Sequence, residues 1–173
     1  RCFCKIYVSF YRGTPLLVQL ILIFYALPAV GITLSPLLAA VVALSLNTAA
    51  FQGEILRAGF NMLPKGQLEA ARDFGFSAAQ TLFYIQMPQV LRTMMPALIN
   101  ETIDIIKNSA LVSVVAVHEL MRVTQTLAST TYRPLEFYTA CGLLYFLTSW
   151  GLSIAGVRLE KNRSSSAKRV LAK

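Results

Sequence analysis

The sequence predicts an all-α, polytopic helical membrane protein, and three observations lead to that fold class. Of the 173 residues, 55% are hydrophobic and only 14% are charged, whereas roughly 25% of the residues in soluble domains are charged. Several apolar runs have the length of about 20 residues that a membrane-spanning helix needs. The basic residues are concentrated between and after those runs. A soluble protein of this length would need a polar surface that this composition cannot supply.

We predict four spans and a basic tail. The spans are residues 15–34, 36–53, 94–117 and 135–157, and the tail is residues 160–173. The first two carry no charge, and the fourth has one acid, Glu136, at its edge. The third contains Glu101, Asp104 and Lys107, so its hydropathy is the weakest of the four. Hydroxyl residues before prolines, in Thr14-Pro15 and Ser35-Pro36, are typical of helix starts.

The distribution of charge predicts the orientation. If the N-terminus lies in the cytoplasm, most of the 16 Lys and Arg residues fall in cytoplasmic segments. Only Arg122 and Arg133 lie outside, with Lys107 inside a span, as the positive-inside tendency requires. The loop of residues 57–90 is then cytoplasmic. The net charge of +8 is explained by topology and anionic lipid headgroups, so we expect no nucleic-acid partner.

The sequence offers no candidate for catalysis, for a cofactor or for a metal. Cys2 and Cys4 have C-x-C spacing rather than the C-x-x-C of redox and zinc motifs, and His118 is the single histidine. It contains no glycine-rich phosphate loop and no Ser-His-Asp arrangement. We therefore expect a protein that is not an enzyme.

The loop of residues 57–90 predicts two short helices joined by a sharp turn. Pro64 begins the first helix, and Gly75 supplies a left-handed residue at its end. Ser77 opens the second helix and forms a capping box with Gln80. Pro88 ends that helix, because the residue before a proline avoids helical angles. An ordered hairpin of this kind is expected to present a surface to a partner.

The residues of this hairpin resemble the EAA loop of ATP-binding-cassette (ABC) importer permeases. The match consists of Glu69-Ala70-Ala71, Gly75 and, after nine further residues, Ile85-x-Met87-Pro88, where the family has Leu in place of Met87. Three further segments are similar to the subgroup that imports polar amino acids, and the resemblance extends from about Tyr7 to Leu159. These segments are residues 12–19, 53–59 and 107–113.

The resemblance implies a MetI-like permease core in a bacterial cytoplasmic (inner) membrane, with both ends of this segment cytoplasmic. The implied partners are ABC ATPase subunits, a second permease subunit that is identical or similar, and an extracytoplasmic substrate-binding protein. Family members usually have five spans, so the family's first span is expected to be missing here. The resemblance assigns docking on the ATPase to Glu69, Ala70, Ala71, Gly75, Ile85 and Pro88.

Ionisable and amide side chains in the spans suggest a path for a polar amino acid between the second and third spans. Such residues are costly in lipid and by default mark a functional site. The candidates are Asn47, Gln52, Glu54, Glu101, Asp104, Lys107 and Asn108. In the alternative reading, Asp104 and Lys107 pair three residues apart and only hold the fold. The helix is expected to break near Lys107.

A second function class is also compatible with the intramembrane charges. A secondary transporter or channel that needs no ATPase could use them as an ion relay. Such a protein would be expected to contain inverted repeats, which the sequence does not show, and it would leave the cytoplasmic hairpin unexplained.

Overall fold

A computed structural model describes the backbone of residues 2–171 and the side chains of residues 3–158. Every regular element within that backbone range is helical, which confirms the predicted fold class. The α-helices are α1 (Cys2–Gly13), α2 (Leu16–Ile21), α3 (Pro36–Asn61), α4 (Lys65–Asp73), α5 (Ala78–Gln80), α6 (Met87–Asn108), α7 (Leu120–Thr131) and α8 (Pro134–Leu171). Two π-helical segments, Leu22–Ala26 and Thr81–Gln86, and two 3₁₀ segments, Leu27–Val30 and Ser109–Val115, connect them.

Helix α1 lies beside α3 along much of its length. The Tyr7 hydroxyl donates a hydrogen bond to the carbonyl of Leu46, in the middle of the predicted span 36–53. Arg12, near the end of α1, contacts Glu54 further along α3. The chain then turns by 109° into the segment Leu16–Val30. The cytoplasmic position predicted for the N-terminal residues stays a prediction, and α1 itself pairs with the following segment as one half of a bent candidate span.

Both π-helical segments end two residues before a proline. Leu22–Ala26 is followed by Pro28, and Thr81–Gln86 by Pro88. In the second segment the Met87 N–H donates to the Leu82 carbonyl, five residues back. This wider turn relieves the clash between a proline ring and the carbonyl four residues before it. The prediction that Pro88 ends the second hairpin helix is wrong, because the helical path continues into α6.

The predicted spans differ from the observed helices mainly at their ends. Helix α3 continues to Asn61, beyond the predicted end at residue 53. The predicted span 94–117 corresponds to α6, which begins earlier at Met87, and to the 3₁₀ segment after it. The change of helix type at Asn108 confirms the break expected near Lys107.

Length and composition alone identify fewer spans than we predicted. Within the described residues, α3 and the Pro134–Arg158 part of α8 qualify as membrane spans, and a bent pair, Phe3–Gly13 with Leu16–Val30, allows a third. Helix α6 is not among them, because its charged residues lower its hydropathy. Its passage through the membrane remains a prediction.

Helix α7 was not predicted, and its N-terminus is bonded to α8. The Glu119 carboxylate caps it by accepting hydrogen bonds from the N–H groups of Met121 and Arg122, both at 2.7 Å. The Tyr145 hydroxyl, in the middle of the predicted span 135–157, donates to the same carboxylate at 3.0 Å. Glu119 therefore contacts the predicted span 135–157 directly, although it lies in the sequence between two predicted spans.

Candidate coupling hairpin and intramembrane polar site

The predicted hairpin is formed, and Gly75 sets its turn. The Gly75 N–H donates to the Arg72 carbonyl at 2.9 Å, and the Phe76 N–H donates to the Ala71 carbonyl at 3.0 Å. These two bonds are the Schellman pattern, which requires a left-handed residue between them. Gly75 has φ = +79°, and a Cβ added there would have no atom within 4 Å. The backbone conformation, and not crowding, therefore requires glycine.

The second arm of the hairpin begins with the predicted capping box. The Gln80 N–H donates to the Ser77 hydroxyl at 3.2 Å, and the Ser77 N–H donates to the Gln80 side-chain oxygen at 2.8 Å. The Thr81 hydroxyl also donates to the Ser77 carbonyl at 3.0 Å. Together these bonds fix the angle at which the chain leaves the turn.

The predicted docking residues have different degrees of exposure. Glu69 and Ala70 are exposed, whereas Ala71 is 4% exposed and faces the inside of the hairpin, where α4 contacts the Thr81–Gln86 segment. Ile85 and Pro88 are half-buried. Ala71 is thus withdrawn from a partner, and Glu69, Ala70 and Gly75 are the members exposed to one.

Four exposed aromatic residues at this end of the molecule were missed by the sequence analysis. Phe74 is 83% exposed, Phe76 40%, Phe83 65% and Tyr84 74%. Their apolar character beside the turn at Gly75 was the available signal. They add an apolar surface to the acidic one at Glu69.

Asn47 is not available to line a path, because its amide is occupied by other parts of the fold. Its side-chain nitrogen donates to the Gln19 side-chain oxygen at 3.0 Å and to the Tyr11 carbonyl at 3.2 Å. The Gln19 nitrogen donates in turn to the carbonyls of Tyr11 and Thr14, at 2.9 and 3.0 Å, and to the Thr14 hydroxyl. Both amides are buried. We call the contacts among Tyr11, Thr14, Gln19 and Asn47 the amide joint.

Glu54 also has its charged partners on α1 and α3 rather than on α6. Its carboxylate accepts two hydrogen bonds of 2.7 Å from Arg57 and lies 3.4 Å from Arg12 of α1. Gln52 is half-buried nearby on α3. Asn47 and Glu54 share one face of α3, because residues seven apart stack on a helix, and that face contacts α1.

The polar residues of α6 form a separate exposed surface. Asp104 and Lys107 form an ion pair of 2.6 Å, with side chains 53% and 54% exposed. Thr93 and Asn100 are exposed at helical spacing before them, and we call these four residues the polar stripe. Asn108 is exposed next to the stripe, and Glu101 is half-buried beside it.

The structure therefore does not bring the predicted path residues of α3 and α6 together. In the described side chains, Asn47 and Glu54 have their polar partners on α1, α2 and α3. The pairing of Asp104 with Lys107, considered as the alternative, is formed. A path lined by both helices is not built within one copy of the chain.

Comparison with known proteins identifies the family. Residues 3–164 match the family described as "Binding-protein-dependent transport system inner membrane component". The chain belongs to this family. Its members are transport permeases, so the chain is a component of membrane transport and not an enzyme.

The names of two relatives of this chain each include an amino acid. The chain is 38% identical to "Arginine transport system permease protein ArtQ" of Bacillus subtilis (strain 168), covering 92% of this chain and 74% of that protein. It is 40% identical to "L-cystine transport system permease protein TcyB" of the same organism, covering 91% and 68%.

Solved structures agree with the family's fold. "Crystal structure of an amino acid ABC transporter with histidines" superposes with a TM-score of 0.84 at 38% identity, covering 91% of this chain and 74% of that one. A second structure, an inward-facing MetNI methionine ABC transporter, has a TM-score of 0.77 at 21% identity, covering 91% and 73%, and shows the fold alone.

Proposed function

We propose that this permease is a subunit of an ABC importer for a polar amino acid, which a binding protein delivers and a separate ATPase drives. The family description and the names of the relatives support an amino-acid importer. The observation that carries the ATPase part of the proposal is the geometry of the hairpin, in particular the left-handed Gly75 between two capped helices.

The hairpin has the properties expected of a docking element for the ATPase. Its turn is fixed by backbone hydrogen bonds, so its orientation is set before a partner binds. Glu69 offers a charge and Ala70 a small surface that permits close approach, while Phe74, Phe83 and Tyr84 offer apolar area. The hairpin is joined to α6 by an unbroken helical path, so a displacement by the ATPase reaches the polar stripe directly.

The polar stripe supports the second part of the proposal, a translocation path shared with a second permease subunit. More than half of each side chain of Asp104 and Lys107 is exposed. Charges in a span do not face lipid but face a water-filled cavity or a protein partner. We propose that a second permease subunit completes the path, and that Asp104 and Lys107 meet the ammonium and carboxylate of the amino acid.

The orientation belongs to the same proposal, since the family description gives an inner membrane component without a direction. Arg12 and Arg57 meet at Glu54, near the end of α3 that leads into the hairpin. Placing that end in the cytoplasm puts these two arginines beside anionic headgroups and the hairpin beside the ATPase.

The turn at Gly75 provides the test. Gly75→Val imposes a strain of about 1–3 kcal/mol at a left-handed position, which the hairpin relieves by changing its angle. We expect normal amounts of the chain in the membrane, less ATPase on co-purification and little uptake of radiolabelled arginine or cystine. Gly75→Asn is the matched control, because asparagine tolerates this conformation and the space is open.

Two outcomes would contradict the proposal. If Gly75→Val retains the ATPase and transports at the rate of Gly75→Asn, the hairpin is not the coupling element. If the purified wild-type chain transports without any ATPase, the alternative of a secondary transporter or channel is correct.

A further inference from the structure

Helix α6 is held on two sides by glycines of its neighbours. Gly59 of α3 is buried, and a Cβ added there would lie 2.6 Å from Met94 Cγ and 2.8 Å from Val90 Cγ1. Gly156 of α8 is also buried, and a Cβ added there would lie 2.7 Å from Ile99 Cγ2. At both places the neighbouring backbone touches side chains of α6, with no room for a methyl group.

Other glycines of the same helices do not share this property. Gly53 of α3 and Gly151 of α8 would have no atom within 4 Å of an added Cβ. A glycine inside a helix costs roughly 0.5–1 kcal/mol relative to alanine. The close contact with α6 explains why glycine is present at positions 59 and 156 despite this cost, because small residues let helices approach closely in membranes.

Both contacts lie between the two functional ends of α6. They fall within residues 90–99, after the hairpin and before the charged pair. At 1.5 Å per residue, the middle of this stretch is about 25 Å from Ser77 and about 15 Å from Asp104. The helical path is continuous over that distance.

We propose that Gly59 and Gly156 position α6 by forming a pivot, defined as the contacts of residues 90–99 with these two glycines. When the ATPase displaces the hairpin, α6 tilts about the pivot, and the polar stripe moves in the opposite direction. A glycine surface has no side chain that must disengage when the crossing angle changes, so the contact persists while both ends move. This inference rests on the proposed coupling role of the hairpin.

The test measures the movement of the stripe in the assembled complex in proteoliposomes. The cysteines at positions 2, 4 and 141 are replaced by alanine, and Asn100→Cys supplies a single thiol on the stripe. The readout is the ratio of thiol-labelling rates without nucleotide and with ATP plus vanadate. An added methyl group interlocks with Ile99 and must disengage when the crossing angle changes, so it opposes the tilt. We expect Gly156→Ala to bring the ratio of labelling rates close to one.

Two matched variants make the result specific. Gly151→Ala, on the same helix but in open space, should leave the ratio unchanged. Gly156→Ala combined with Ile99→Ala removes the atoms that the new methyl group would meet, so the ratio should return towards the original value. Gly59→Ala, read against Gly53→Ala, repeats the measurement at the α3 contact and decides the matter if the α8 variant does not insert.

The outcomes separate the pivot from the function on which it rests. Equal ratios for Gly156→Ala and Gly151→Ala, or no recovery in the double variant, show that the glycines only fill space and overturn the pivot. A wild-type ratio that does not respond to nucleotide, in a complex that holds no ATPase, overturns the proposed function and the pivot with it.

Discussion

The hairpin and the amide joint are both held by hydrogen bonds, but the bonds differ in their range along the chain. In the hairpin they connect residues that are at most five positions apart, as between Phe76 and Ala71. In the amide joint Asn47 reaches Gln19 across 28 positions and Tyr11 across 36. Short-range contacts of the first kind are set by residue type, whereas those of the second exist only once three helices have packed.

The hairpin and the amide joint also differ in burial. Glu69, Ser77 and Gln80 of the hairpin are exposed, whereas Gln19 is 2% exposed and Asn47 8%. A buried polar group that loses its partner costs far more than an exposed one that can turn to water. We therefore expect the amide joint to carry stability and the hairpin to carry orientation.

Of the substitutions considered, Gln19→Leu is expected to lower the unfolding temperature most. It leaves the carbonyl of Thr14 and one donor of Asn47 without these partners, and each unpaired buried group costs about 1–3 kcal/mol. The unfolding temperature of the purified chain in detergent should fall, together with the yield.

Gln52→Leu is the control for this experiment, because it makes the same chemical change at a half-buried position on α3. If both variants unfold at the same temperature, the amide joint does not carry stability, and the contrast between the two regions is wrong.

A smaller effect is expected from Ser77→Ala. Loss of an N-cap costs about 1 kcal/mol, and here it acts on the first turn of a helix that continues into α6. Faster amide hydrogen exchange at Gln80, with an unchanged unfolding temperature, is the expected measurement. Ser77→Asp restores an acceptor and should restore protection, and a global loss of stability in Ser77→Ala would contradict this local role.

The smallest effect on stability is expected from Asp104→Asn combined with Lys107→Met. The pair is more than half exposed, so its removal should cost less than about 1 kcal/mol. Uptake of the amino acid that the wild-type complex carries, identified by screening radiolabelled amino acids, should nevertheless be lost. If the double variant unfolds early, or if it transports at the original rate, the pair belongs to the fold and not to the path.

The sequence allowed the hairpin to be predicted closely, because its signals are local. The left-handed Gly75 and the Ser77–Gln80 box follow from residue type and spacing alone. Pro88 shows the limit of this reasoning. A proline usually ends a helix, but the π-helical turn before it removes the clash, and no local signal distinguishes the two outcomes.

The candidate path was harder to predict, since it depends on contacts between distant helices. Asn47 and Glu54 share a face of α3, as their spacing indicated, but periodicity does not say which helix covers that face. The carbonyl of Tyr11 has no partner within α1 because it lies at the end of that helix, and it accepts a hydrogen bond from the side-chain amide of Asn47. The pair at Asp104 and Lys107, a local feature, was considered correctly as one alternative.

The contact between Glu119 and Tyr145 changes which part of this chain can accept a fused tag or probe. A hydropathy profile places residues 118–133 in one outer loop and makes every position in it an equal insertion site. Because Glu119 caps α7 and accepts a hydrogen bond from Tyr145 of α8, an insertion there would break both contacts. Tyr132, at the far end of α7, is 89% exposed, so we expect an epitope there to disturb the packing of the chain less than one at Glu119.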